Sequence, residues 1–147
     1  MTRRFGWLPD LPDLRDYTSA SPKAAPFNRR LGLWGSPDQL DLRPWCSQIE
    51  DQGSLGSCSS QACVGMVEFY ERLAFGRHID ASRLFVYFVA RALNHLRGDT
   101  GSYLRGNIGA LRLCGAPPEE FWPYDPSKVD VEPSPLAYAL AANFKSM

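Results

Sequence analysis

Between Ser57 and Phe75 the apolar positions Cys58, Ala62, Gly65, Met66, Phe69, Tyr70 and Leu73 recur at steps of three and four. That spacing predicts a helix with this stripe turned inward and Glu68, Glu71 and Arg72 toward water. Gly76, followed by Arg77 and His78, reads as its stop. A second helix is predicted over Ser82–His95; its centre, Leu84 to Ala90, is apolar all round, which implies burial on more than one side. A third is predicted over Ser102–Cys114, with Leu104, Ile108 and Leu111 as its inner face and Gly115 as its stop. Pro117-Pro118-Glu119-Glu120 reads as a short helical start ending at Trp122-Pro123-Tyr124, whereas residues 135–145 are too sparsely apolar to assign. Alternation of period two is poor throughout, so the chain reads as mostly helical with long loops.

Residues 1 to 39 form a distinct opening segment. Prolines at 9, 12, 22, 26 and 37 favour an extended path over helix. Phe5, Trp7, Leu8, Leu11, Leu14 and Tyr17 are more apolar than a free linker needs, and predict that part of the segment lies against a surface. A length of 147 residues allows one domain or one lobe of a larger one. Sixteen basic residues balance sixteen acidic ones, which argues against nucleic acid or a polybasic membrane surface as partner. No apolar run approaches the roughly 20 residues of a membrane span. Pro9, Asp10, Pro12 and Asp13 interrupt any stretch like a signal peptide, so a cytoplasmic location is expected. Cys46, Cys58, Cys63 and Cys114 are then expected as free thiols. They form no C-x-x-C, and neither His78 nor His95 belongs to an H-x-x-x-H pair, so no metal or other cofactor is expected.

The chemistry concentrates at one junction. Gln52-Gly53-Ser54-Leu55-Gly56-Ser57 is too rich in Gly and Ser for helix or central strand, and it delivers Cys58 to the first turn of the buried helix. Unpaired N–H groups at a helix start favour an anionic sulfur. The glycines let another backbone approach it closely. Gln52, six residues upstream, offers an amide donor to the oxyanion that forms when a thiolate attacks a carbonyl.

Read together as QGSLGSC, these residues resemble the papain-like cysteine peptidases. In that resemblance Cys58 is the nucleophile, Gln52 the oxyanion-hole glutamine, and Gly56-Ser57 the residues before the nucleophile. Leu40-Asp41-Leu42-Arg43 resembles the start of the mature enzyme, which makes residues 1–39 an N-terminal extension or pro-segment and 40–147 a partial peptidase domain. Gly98-Asp99-Thr100-Gly101-Ser102-Tyr103 resembles the glycine-rich stretch that pairs with substrate backbone, and Trp122-Pro123-Tyr124 a loop that usually reads Y-P-Y. The implied substrate-binding residues are Gly101, Ser102, Tyr103 and Leu104, the last two lining the pocket for the second residue before the scissile bond. Leu55 and Asp99 stand where many members carry a disulfide, which suits a chain that folds without oxidation. Ser59 replaces the aromatic residue that normally follows the nucleophile.

The family's His and Asn lie about 130–150 residues beyond the nucleophile, at about position 188 or later here. The expected fold is therefore mainly α within an α+β papain-like fold: the left-hand helical lobe around a central helix starting at Cys58, with the β-rich lobe that carries the base absent. The resemblance implies a cysteine-type peptidase acting on peptides or proteins, incomplete without that lobe as partner. Its alternative is a catalytically inactive lobe that binds peptides or a partner.

Overall fold

The computed structural model describes residues 5–18, 20–23, 26 and 39–145; much of the predicted extension, 1–39, lies outside the described residues. These residues divide into two compact units, 5–10 with 45–145, and those of Leu11–Pro44. Within Leu11–Pro44 the described contacts are local, such as the exposed pairs of Asp13 with Arg15 and Asp41 with Arg43.

The larger unit contains strand β1 (Trp7–Leu8), helix α1 (Cys58–Phe75), helix α2 (Arg83–Leu93), strand β2 (Ser102–Tyr103), helix α3 (Leu104–Leu113) and helix α4 (Pro135–Ala141). α1 ends where expected, at Gly76 in the left-handed region with φ 71°. α2 is capped by the Ser82 hydroxyl, which accepts from the Phe85 N–H. Leu84, Phe85, Val86, Tyr87 and Ala90 are fully buried, as the all-round apolar centre predicts, and α2 forms the middle of the core. α2 ends at Leu93, before His95, which takes a left-handed φ of 56° beyond it.

The predicted face of α1 turns out reversed, and that of α3 is kept only at Leu111. On α1, Ser60, Val64 and Glu68 face inward, while Met66, Tyr70 and Leu73 are 55%, 59% and 49% exposed. Glu68 is buried because it accepts from the Ala81 N–H and pairs with Arg83 at 2.7 Å, an ionic contact that hydrophobic periodicity does not register. On α3, Leu104 and Ile108 are exposed, while Gly106, Asn107, Ala110 and Leu111 are buried. Helix α3 starts two residues later than expected because Ser102–Tyr103 is committed to β2. The close approach to α2 then selects small residues. A Cβ at Gly106 would lie 2.5 Å from Asn94 Nδ2 and 3.3 Å from the Ala90 carbonyl.

β1 pairs with β2 in parallel, with Trp7 opposite Ser102 and Leu8 opposite Tyr103. Part of the opening segment thus lies against a surface, but by its backbone: Phe5 and Trp7 are largely exposed, whereas Gly6 is buried.

Candidate active site

Cys58 is the first residue of α1, and the loop before it is held from three sides. The Gln52 side-chain amide donates to the Leu55 carbonyl at 2.7 Å, closing the loop on itself. The Tyr124 hydroxyl donates to the Gln52 carbonyl at 3.1 Å; having one proton, it then accepts from the Ser57 hydroxyl at 2.5 Å. That bond explains why Ser57, at the helix N-cap, uses its side chain outside the helix. On the third side the Asp99 carboxylate accepts from the Gly56 N–H at 2.8 Å.

Next to Cys58 along α1 lies a buried polar network. Ser59, where an aromatic residue is usual by the resemblance, meets the Ser102 hydroxyl and donates to the Ser102 carbonyl, both at 3.0 Å. Ser60 donates to Asn107 Oδ1 at 2.6 Å, and Asn107 Nδ2 donates to the Ser102 hydroxyl and the Tyr103 carbonyl. The first turn of α1 is thereby tied to β2. A buried network of this kind specifies one arrangement only because its members are satisfied.

The half-buried Cys58 sulfur accepts a hydrogen bond from the Gly6 N–H at 3.3 Å. Gly6 in turn accepts from the Ser102 N–H at 2.8 Å. A strap of residues 5–10 therefore crosses the Cys58 sulfur and pairs with β2, and Asp10 at its end accepts from the Arg105 N–H in the first turn of α3. An acidic side chain there also complements the helix dipole.

Cys58, Gly101 and Ser102 are brought together around Gly6; Tyr103 pairs with Leu8, and Leu104 opens α3 on the surface. Neither histidine lies in this setting. His78 follows the far end of an 18-residue helix, about 25 Å along its axis, beside Glu71 and Phe75. His95 shares a cavity with Arg91, Arg97, Asp130 and Glu132. None of the four cysteines forms a disulfide among the described residues. Among the described residues no group of three or more His, Cys, Asp or Glu is arranged to hold a metal ion, and no helix is long and apolar enough to cross a membrane.

Sequence reasoning missed Asp99 as an acceptor, Tyr87 and Asn107 as supports, and Gly6 as a contact of the sulfur. The nearest signal was Asp99 at a cysteine position inside the glycine-rich stretch.

No protein-family model matches the chain. It is similar to xylellain, a cysteine protease from Xylella fastidiosa, at 30% identity and a TM-score of 0.77, over 99% of this chain and 58% of that one. The chain is a papain-like helical lobe. It resembles the N-terminal helical lobe of the papain-like cysteine peptidases, in keeping with its QGSLGSC motif. The lobe is also 32% identical to an uncharacterised peptidase C1-like protein of Acanthamoeba polyphaga mimivirus, over 100% of this chain and 51% of that protein. A mite-allergen structure, from a comparison of Blo t 1 and Der p 1, shares the fold at 21% identity and a TM-score of 0.56, over 62% of this chain and 31% of its own. The papain-like lobe thus spans about half the length of the relatives it matches.

The Tyr124 prop depends on one unusual carboxyl. Glu119 Oε1 accepts from the Tyr124 N–H, while its buried Oε2 has no hydrogen-bond partner among the described residues. Burial pushes the Glu119 carboxyl up from 4.5 to about 7; Asp80 and Glu50 add to the rise, and the Tyr124 N–H and Arg83 oppose it. Between these two pH values the folded lobe holds a proton that the unfolded chain has released, so stability falls as pH rises from about 4.5 to about 7. Glu119→Gln should therefore leave the melting temperature unchanged near pH 4 and raise it above pH 7. Solvent reaches part of this carboxyl, which reduces the expected gain to about 1 kcal/mol, or roughly 3 °C. Equal melting shifts at both pH values would disprove the linkage.

Proposed function

We propose that this lobe is the nucleophile-bearing half of a cysteine-type peptidase, and that the strap of residues 5–10 holds it latent. The observation that carries the reading is the Gly6 N–H on the Cys58 sulfur: a backbone lies across the nucleophile and along the Gly101–Ser102 edge. A peptide substrate would use that same edge, since main-chain pairing at a strand edge supplies affinity without side-chain specificity. Cys58 attacks the scissile carbonyl, and the carbonyl electrons move to oxygen, where Gln52 Nε2 and the Cys58 backbone N–H receive them. Collapse of that intermediate breaks the C–N bond and leaves a thioester. Water then hydrolyses the thioester and regenerates the thiol. An imidazole must take the thiol proton and give it to the leaving amine. That base comes from the β-rich lobe, which the longer relatives have room for. The exposed Met66, Tyr70 and Leu73 on α1 support a further apolar partner surface.

The test is a chimera in which residues 1–147 run on into the remainder of xylellain, assayed on an unstructured fluorogenic peptide. Residues 1–147 alone should give background turnover, and the chimera should cleave. Cys58→Ala should abolish cleavage. Gly6→Ala should raise kcat/KM by about 10–100-fold, because the strap contributes two or three backbone bonds of about 1 kcal/mol each. Its Cβ would sit 1.7 Å from the Gly56 oxygen, so the strap cannot stay in place. Turnover that persists in Cys58→Ala, or a folded Gly6→Ala chimera that cleaves nothing, would overturn the reading.

A further inference from the structure

We propose that Asp99 and Tyr87 are positioning residues that set the width of the slot between Gly56 and Gly101, and so control access to Cys58. The inference rests on the reading of the strap as an occupant of the peptidase cleft. The slot fits one backbone with no side chain. A Cβ on Gly101 would lie 2.1 Å from the Gly6 oxygen, and a Cβ on Gly56 would lie 3.2 Å from both Gly6 Cα and Asp99 Oδ1. With tolerances of a few tenths of an ångström, the separation of the two walls decides whether a strand is gripped.

Both walls meet on one pair of side chains. Asp99 Oδ1 accepts from the Gly56 N–H at 2.8 Å and from the Tyr87 hydroxyl at 2.7 Å. The Tyr87 oxygen in turn accepts from the Gly101 N–H at 2.9 Å. Three hydrogen bonds therefore run from one wall to the other without passing through the strap. The bridge stands on rigid ground: Tyr87 is fully buried on α2, and the Arg91 guanidinium lies 4.3 Å from its ring centroid. Arg91 is itself held by Asp130 at 2.8 Å and by the Gly98 and Val129 carbonyls. Asp99 touches neither the sulfur nor Gly6 through any of these bonds. It acts by placing Gly56, two residues before the nucleophile, relative to Gly101.

The experiment is the rate of iodoacetamide labelling in 1–147, with peptide mapping to follow Cys58 separately from the half-buried Cys63 and Cys114. Gly6→Ala should speed Cys58 labelling about tenfold or more by expelling the strap. Asp99→Ala and Tyr87→Phe should each speed it about tenfold, the loss expected when a buried bridge of this kind is broken. Asp99→Asn keeps an oxygen acceptor and should stay within about threefold of the parent chain. Labelling of Cys63 and Cys114 should not change. If Gly6→Ala leaves Cys58 unaltered, the strap reading fails. If Gly6→Ala speeds Cys58 but Asp99→Ala and Tyr87→Phe do not, the strap stands and the bridge is overturned. Equal acceleration of all three cysteines in the volume-conserving Tyr87→Phe would show general loosening and overturn it too, as would Asp99→Asn behaving like Asp99→Ala.

Discussion

Gln52→Ala in the two-lobe chimera lowers kcat by about 10²–10³-fold, the usual loss for one oxyanion donor, with little change in KM. The reason is geometric. The bond from Gln52 Nε2 to the Leu55 carbonyl fixes the plane of the amide, so in the proposed mechanism the donor is oriented before any charge forms on the substrate oxygen. Preorganised donors gain most in the transition state and contribute little to binding the neutral carbonyl. The same substitution removes a tie within the loop, and this is a competing cause of lost activity. The two causes separate in 1–147, where iodoacetamide needs no oxyanion hole. Cys58 labelling that stays within about threefold of the parent assigns the loss to the missing donor, since a displaced loop would change access to the sulfur. An unchanged kcat removes Gln52 from the mechanism.

Helices α1 and α2 and the loop before Cys58 were legible because each announces itself locally, whereas α4 was not, its apolar positions being too sparse. Gly76 stops α1, Ser82 caps α2, and the apolar run from Leu84 to Ala90 has to be buried. The motif around Cys58 is contiguous, so one pass along the chain finds it. What stayed hidden depends on partners far apart in sequence. Gly6 reaches the sulfur across 52 residues, and Asp99 reaches Gly56 across 43. A glycine in a Pro-rich segment carries no mark of what its backbone will touch. The changed faces share one cause. Periodicity assumes that apolar side chains choose the core, whereas Glu68 and Asn107 are drawn inward by specific polar partners, and Gly106 and Ala110 by the nearness of α2. The apolar positions of α1 then remain at the surface.

Glu68→Ala is expected to destabilise the lobe by about 3–5 kcal/mol, because breaking a buried pair strands its partner's charge. For a chain of this length that lowers the melting temperature by roughly 10 °C or more. Glu68 is 1% exposed and Arg83 4%, and the pair joins the middle of α1 to the start of α2. The loss is tempered on one side: Arg83 also meets Asp80 at 3.1 Å and, more loosely, Glu50 at 3.9 Å. It is deepened on the other, since the Ala81 N–H loses the acceptor it has in Glu68 Oε1. Arg83→Met should cost a similar amount by leaving the Glu68 carboxylate without its cation. The double variant Glu68→Leu with Arg83→Met removes both charges and fills the space, so it should be more stable than either single variant, with a coupling of about 2 kcal/mol or more. The residual deficit is the orphaned Ala81 N–H, about 1–3 kcal/mol. Urea melts of the parent chain, Glu68→Leu, Arg83→Met and the double variant read this directly, since Glu68→Leu strands the Arg83 charge as Glu68→Ala does. A double variant whose loss equals the sum of the two singles would mean that Glu68 and Arg83 act independently, and that α1 and α2 are held by their apolar contacts alone.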